Sequence, residues 1–396
     1  MTLLLVFITG SYVFLIAILI YGWMQVPVFK IRNREPLNKF SIVICYRDEA
    51  ENLPLLLKSF LKMEYPNTHY EIILVNDASM DNSRKICADF RNDHPHFSIT
   101  LLENKRFSAA PKKDAITTAV KKAAFNYIIT TDADCVLPPS WLLAYNDILM
   151  ETDALLVAGP VSSQNISNNK FFDNDSNESW EVNRANYRRK YLYAFQEMDV
   201  MSLQAAGIGA FGIDQPFMAN GANLCYSRDT FLKLDGFKGN EMITSGDDVF
   251  LLQKFNQNAH KIAFLKCREA TVITQPQPEI TSLISQRIRW AAKTPAYKSI
   301  FAKITGLLVL LMNLLLVIST FLVFLEIVPY EPVLFAFLFK FLADFLLLFL
   351  AARFFRRKDL LRNYFWSSLV YPFFSSAIAI MSLFRKFEWK GRISGK

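Results

Sequence analysis

The chain has 396 residues, 52% of them hydrophobic and 20% charged, with 35 Phe and a formal net charge of +8. This excludes a disordered chain, a collagen-like chain and a small disulfide scaffold. A mean hydropathy of +0.18 together with a long stretch of ordinary globular composition predicts one large soluble domain carrying a few membrane segments.

Residues 3–23 form an uncharged apolar run long enough to span a bilayer, which takes about 20 residues. No basic region precedes it, so a cleaved signal peptide fits poorly. Lys30, Arg32, Arg34 and Lys39 follow it, which puts the N-terminus outside and the next segment in the cytosol. The first membrane helix is assigned to residues 1–29. Residues 38–300 are assigned to a cytosolic domain, in which five scattered cysteines without CxxC spacing argue against a zinc site or a disulfide framework.

Within that domain, residues 40–45 read as a β-branched strand and residues 52–63 as a helix. Further strands are expected at 71–75, 98–102 and 127–131, separated by helices ending near Phe90 and covering 112–124. This β-α-β-α-β-α-β order predicts an α/β fold with a mostly parallel, doubly wound sheet. Ligands of such sheets bind beyond the carboxyl ends of the strands. Asp77 and the pair Asp132 and Asp134 sit at two such ends and are expected to share a crevice. No GxGxxG or GxxxxGK[ST] occurs at these turns, so dinucleotide and P-loop readings are weak.

Residues 162–187 read as a polar insertion rich in Asn, Asp and Ser, and its Asp173 and Asp175 as a solvated mimic of the first acidic pair. Beyond it come a short helix near 229–234, a helix opening on Asp247-Asp248, strands at 261–267 and 271–274, and the helical SQRIRW run at 285–290. Residues 301–352 supply two more membrane helices, and 363–384 a third apolar segment interrupted by Pro372. The tail, 385–396, is basic, and a re-entrant or interfacial course of 363–384 would keep it in the cytosol. Lys340 and Asp344, at i,i+4 spacing, are expected to neutralise each other at a helix–helix contact; a polar strip facing a lipid-linked or polymeric substrate is the alternative. The four basic strips beside the apolar segments hold 19 Lys and Arg and three acidic residues, so the rest of the chain is net acidic.

Two carboxylates one residue apart at a strand end can hold a hard divalent cation, which a diphosphate can then bridge. Of Asp247 and Asp248, a helix N-cap accounts for one; the other is free to act as general base toward an acceptor hydroxyl. Gln286, Arg289 and Trp290 share a helix face, where Arg289 can fork onto phosphate and Trp290 can stack on a sugar ring.

In order along the chain, CYRDE (45–49), VND (75–77), Lys112-Lys113, DAD (132–134), GDD (246–248) and QRIRW (286–290) resemble the family 2 inverting glycosyltransferases of GT-A fold. The likeness extends to the membrane-bound members related to hyaluronan, cellulose and poly-N-acetylglucosamine synthases. It implies that Tyr46, Glu49, Asp77, Lys113, Asp132, Gln286 and Arg289 bind the nucleotide sugar, with Lys112 equally placed beside Lys113. It implies that Asp134, with Asp132, holds Mg2+ or Mn2+, that Asp248 beside Asp247 is the catalytic base, and that Trp290 takes the acceptor sugar. The implied partners are a nucleotide-sugar donor, UDP-linked by preference, a glycan or lipid-linked acceptor, membrane lipid, and synthase or export subunits. The implied location is the inner membrane of a bacterium. Tyr-Arg-Asp-Glu and Asp-Asp depart from the Tyr-Asn-Glu and Glu-Asp of many members, and no gating loop follows Trp290. A polyprenyl-phosphate glycosyltransferase and an inactive sugar-nucleotide-binding subunit are the competing readings. Nucleic-acid binding is not expected, since no basic and aromatic repeat runs along any element.

Overall fold

The computed structural model describes residues 1–165, 184–384, 387–389 and 392–394. The chain enters as helix α1 (Thr2–Gln25) and reaches the first strand, β1 (Phe40–Tyr46). There follow α2 (Leu53–Phe60), β2 (Tyr70–Asn76), α3 (Ser83–Asp93), β3 (Ile99–Glu103), α4 (Pro111–Lys122) and β4 (Tyr127–Asp132). The strands are nearly continuous runs of Ile, Val and Leu because helices cover both faces of a parallel sheet. β1 pairs in parallel with β2 and β4, and β2 with β3, so that Tyr46, Asn76 and Asp132 end close to one edge of the sheet.

The second half completes the sheet antiparallel. After β5 (Cys135–Val136) and α5 (Trp141–Thr152) come the short strands β6 (Leu156–Ala158) and β7 (Val161–Ser163). Then follow α6 (Arg184–Gly212), β8 (Leu224–Ser227), α7 (Arg228–Lys233), α8 (Asp247–Gln257), β9 (Ile262–Phe264) and β10 (Val272–Thr274). The seven-stranded order is β3-β2-β1-β4-β8-β6-β9, and β5, β10 and β7 form a separate three-stranded ribbon. Asn223 ties these parts together: its side chain accepts from Trp141 (2.8 Å) and Tyr145 (2.7 Å) and donates to the carbonyls of Pro160 and Ala270.

α9 (Ile280–Ala291) leads to α10 (Ile300–Phe324), α11 (Tyr330–Phe354) and α12 (Tyr364–Phe384), and the chain ends on a hairpin of β11 (Phe387–Trp389) and β12 (Arg392–Ser394). Among the described residues four helices are long and apolar enough to cross a membrane: α1, α10, α11 and the stretch containing α12. β11 lies beside α9. Lys340 and Asp344 close at 2.5 Å within α11, and the Tyr12 hydroxyl of α1 donates to Asp344 at 2.7 Å. The pair thus sits at a helix–helix contact.

The sequence reading contained no helix corresponding to α6, whose start falls within the expected polar insertion. Ala194, Met198, Met201, Ala205 and Ile208 form an apolar row in the core shared with α1. The signal is broken because Glu197 and Asp199 are also buried, each held by an arginine from elsewhere in the chain. At the far end of α6 the two helices touch backbone to backbone: a Cβ on Gly209 would stand 2.3 Å from the Leu19 carbonyl oxygen, and one on Gly22 2.0 Å from that of Gly209. Only glycine allows that approach. Lys266 then caps the end of α1, donating to the carbonyls of Trp23 (2.5 Å) and Val26 (2.9 Å) while its ammonium sits 4.1 Å from the Trp23 ring. Asp173 and Asp175 lie outside the described residues.

Candidate active site

The site is built on the carboxyl ends of β1, β2 and β4. β4 runs directly into Asp132, and the turn after it carries Asp134. Lys112, in the first turn of α4, reaches Asp132 at 2.7 Å and Asp247 at 3.3 Å, joining the two acidic pairs through one ammonium. Burial alone would lower the Lys112 pKa, but Asp132 and Asp247 hold it well above the ordinary value. Burial likewise opposes ionisation of Asp247, and the Lys112, Lys293 and Lys113 ammoniums outweigh it and keep the carboxyl low. Asp247 is therefore a fixed anion in a charge lattice, poorly suited to carry protons.

Gly246, in a left-handed conformation (φ 81°), is the N-cap of α8. Neither Asp247 nor Asp248 is the cap; both stand in the first turn. The Asp248 carboxylate accepts from the Gly221 N–H (3.2 Å) and the Val249 N–H (2.7 Å), and Lys293 lies 3.5 Å from it. Its side chain keeps 15% of its surface open. It is the more open of the two, 15% against 11%, and so the better placed to meet a ligand.

Asp134 is half-buried, and desolvation followed by the charges of Asp132 and Glu49 pushes its pKa up. Its oxygens accept from the Thr274 hydroxyl (3.3 Å) and weakly from the Cys135 thiol (3.7 Å), and its own backbone N–H also bonds the carboxylate. Burial holds the Arg289 guanidinium below its ordinary value, and it feels Asp132, Asp247, Asp248 and Asp134 together. The lattice thus spans the first acidic pair, the second acidic pair and α9.

These features match a known pattern. Residues 41–208 fit the family profile described as Glycosyl transferase family 2. That segment is a family 2 glycosyltransferase domain. A poly-β-1,6-N-acetyl-D-glucosamine synthase of Staphylococcus epidermidis is 34% identical over 96 residues, 24% of this chain and 21% of that protein. An undecaprenyl-phosphate 4-deoxy-4-formamido-L-arabinose transferase of Proteus mirabilis is 35% identical over 106 residues, 26% of this chain and 32% of that protein. The aligned part therefore spans a third or less of the curated relatives. A mannosyltransferase from Pyrobaculum calidifontis, solved with GDP-Man and Mn2+, superposes with a TM-score of 0.53 at 16% identity, over 97% of this chain and 99% of that one. The glycosyltransferase domain has the GT-A fold.

The other sequence-predicted residues of the glycosyltransferase domain divide into two groups. Asp77 is buried at the end of β2, its carboxylate accepting from Asn104 at 2.7 Å and its N–H bonded to the Tyr46 carbonyl. Glu49 accepts from Asn52 at 2.7 Å and is electrostatically close to Asp134. The Tyr46 ring belongs to the hydrophobic core, and burial raises its hydroxyl pKa; its backbone carbonyl is what borders the site.

Lys113 requires a correction. Its ammonium is turned under the loop before α8, donating to the carbonyls of Asn240 (2.9 Å) and Ile243 (2.8 Å) above the Phe250 ring. Desolvation there lowers its pKa to about 8. Lys112, one residue earlier, is the lysine of the crevice, because a helix turns successive side chains by about 100°.

In α9, Gln286 is bonded to Arg287, and the Arg287 guanidinium lies 4.1 Å from the Trp290 ring centroid. Arg287 is itself held by Asp199 of α6 at 2.6 Å, both side chains nearly free of solvent. Lys293, Arg287 and Asp199 were not candidates from the sequence. Lys293 follows Arg289 by four residues, a spacing that could have placed it on the same face. Nothing local announces Asp199.

The donor set fits a divalent cation of limited kind. Asp134 offers poorly satisfied oxygens, and a cation there would relieve the crowding of three carboxylates. Among the described residues no cluster of three or more His, Cys, Asp or Glu could hold a metal alone. One or two carboxylates completed by substrate phosphate oxygens is the arrangement typical of Mg2+ at such sites.

Proposed function

We propose that the chain is a membrane-bound inverting glycosyltransferase that moves a sugar from a nucleotide-sugar donor, UDP-linked by preference, to a glycan or lipid-linked acceptor. The single observation that carries this reading is the lattice joining Asp132, Lys112, Asp247, Asp248 and Arg289 at the strand ends of a family 2 domain. Asp77 and Glu49 border the nucleotide. Lys112, Gln286 and Arg289 meet the diphosphate, and Lys112 must exchange part of its carboxylate contacts for phosphate oxygens. Asp134 and Asp132 hold Mg2+ or Mn2+, which when bound supplies positive charge beside the leaving diphosphate. Trp290, its far face covered by Arg287, gives the acceptor sugar an apolar platform. Asp248 takes the acceptor proton as that oxygen attacks the anomeric carbon in line, so an α-linked donor yields a β-glycoside. Enclosing these charges away from water strengthens each of them.

The basic strips beside the four apolar helices support a multi-pass protein of a bacterial cytoplasmic membrane with the catalytic domain on the cytosolic side. The Staphylococcus relative supports polysaccharide synthesis; the Proteus relative supports transfer to a polyprenyl phosphate. Gln286, Arg289 and Trp290 on one helix favour a sugar acceptor, and hence the first. Incubating membranes with radiolabelled UDP- and GDP-sugars and sizing the products tests the reading. Asp248→Asn is expected to reduce transfer at least 100-fold with nucleotide binding intact; wild-type turnover in that variant would refute the base assignment.

A further inference from the structure

A second cavity, of about 540 Å³, lies where the cytosolic end of α11 meets the catalytic domain. Lys62, Arg268, Arg356 and Arg357 line it, and Glu269 is the one carboxylate among the lining residues. Val136, Leu137, Pro138, Pro139 and Phe355 give it an apolar wall. The volume is that of a small-ligand site.

The cavity is distinct from the glycosyl-transfer crevice. Successive residues of a strand face opposite sides. On β10, Thr274 bonds Asp134 in the crevice while its neighbour Ile273 lines the cavity. On β5, Cys135 contacts Asp134 while Val136 lines the cavity. The β5–β10 ribbon is therefore the partition between the two.

Its cations are not all consumed by the protein. Arg357 is held by Glu197 (2.8 Å) and Asp359 (3.1 Å), which makes it a fixed wall. Arg268 meets only its neighbour Glu269, at 3.2 Å. Arg356 has no ion-pair partner among the described residues, and its backbone is left-handed (φ 56°). That conformation is uncommon for arginine and costs free energy. Arg356, with no ion pair of its own among the described residues, leaves the cavity a positive charge that an entering anion could meet. The last helical residue of the apolar α11, Phe354, immediately precedes Phe355 and Arg356, so the anion at that level is the phosphate of the cytosolic leaflet.

We propose that this cavity binds the phosphate headgroup of an anionic membrane lipid, with the Arg268 and Arg356 guanidiniums on the phosphate and the Leu137, Pro139 and Phe355 wall against the glycerol and first methylenes. Half apolar and half cationic, it suits a lipid better than free phosphate. Occupancy would brace the ribbon that supports Asp134, a consequence that rests on the proposed transferase function; lipid binding itself does not.

The full chain, purified in detergent and passed through mixed vesicles of phosphatidylglycerol and phosphatidylcholine, is assayed by native mass spectrometry for retained lipid. Wild type is expected to retain phosphatidylglycerol selectively. Arg268→Gln and Arg356→Asn are each expected to weaken retention about fivefold; asparagine tolerates the left-handed backbone, so the second variant folds. Arg353→Gln, a collar cation outside the cavity, is expected to change nothing. Equal retention of both lipids, an equal loss in Arg353→Gln, or displacement of the lipid by millimolar inorganic phosphate would each overturn the assignment. Donor turnover, measured in parallel, reports separately on the transferase reading.

Discussion

The Asp199–Arg287 pair offers the sharpest test of how α6 supports the acceptor platform. The Arg287 Nε and the Asp199 carboxylate lie 2.6 Å apart with side-chain exposures of 7% and 5%, and the guanidinium covers Trp290 at 4.1 Å. Asp199→Asn keeps shape and one acceptor oxygen but leaves a buried cation without its counter-charge. Removing one partner of a buried pair costs about 3–5 kcal/mol; the retained acceptor puts the expected loss near 3. Arg287 would then move toward solvent or toward another anion and carry Trp290 with it. A displacement of about 1 Å at a substrate-positioning group can cost on the order of 100-fold in rate. The expected result is a lowered melting temperature in detergent and a kcat/KM for acceptor reduced about 100-fold. The double variant Asp199→Leu/Arg287→Met removes both charges and is expected to recover most of the stability but not acceptor use, since the plate under Trp290 is gone. Wild-type melting and acceptor kinetics in Asp199→Asn would refute the reasoning. Full recovery of activity in the double variant would reduce the pair to a structural one.

Asp134→Ala is expected to abolish Mn2+ binding in the presence of nucleotide, read from the Mn2+ electron paramagnetic resonance signal, together with transfer; an unchanged signal would contradict the metal role. Lys112→Met should lower turnover at least tenfold, because its ammonium joins the two acidic pairs of the crevice. Lys113→Met should mainly destabilise, by about 2 kcal/mol, through two part-buried carbonyls left without a donor. Equal effects of the two lysines on turnover would count against their different orientation. Gly209→Val places a side chain against the Leu19 carbonyl oxygen, 2.3 Å away at the Cβ alone, and is expected to lower detergent stability by at least about 1–3 kcal/mol. A neutral result would mean that α1 and α6 do not pack this closely.

Much of the frame is legible in the sequence because it is governed by local physics. The β-branched runs, the helical periods between them and the aspartates at strand ends follow from short-range pattern, and strand polarity then brings Asp77, Asp132 and Asp134 to one edge. The apolar spans follow from bilayer thickness alone. The tertiary structure decided what depends on partners distant in sequence. α6 buries Glu197 and Asp199 against arginines 160 and 88 residues away, so its row of apolar positions carries no clean signature. Lys112 and Lys113 are chemically identical, and only the direction of α4 against the loop before α8 separates a crevice lysine from a structural one. Lys293 reads as part of a basic collar until it is seen beside Asp248 of α8. Local periodicity tells which face of an element is apolar; which charges meet across elements is set by packing, and here that packing assembles the site.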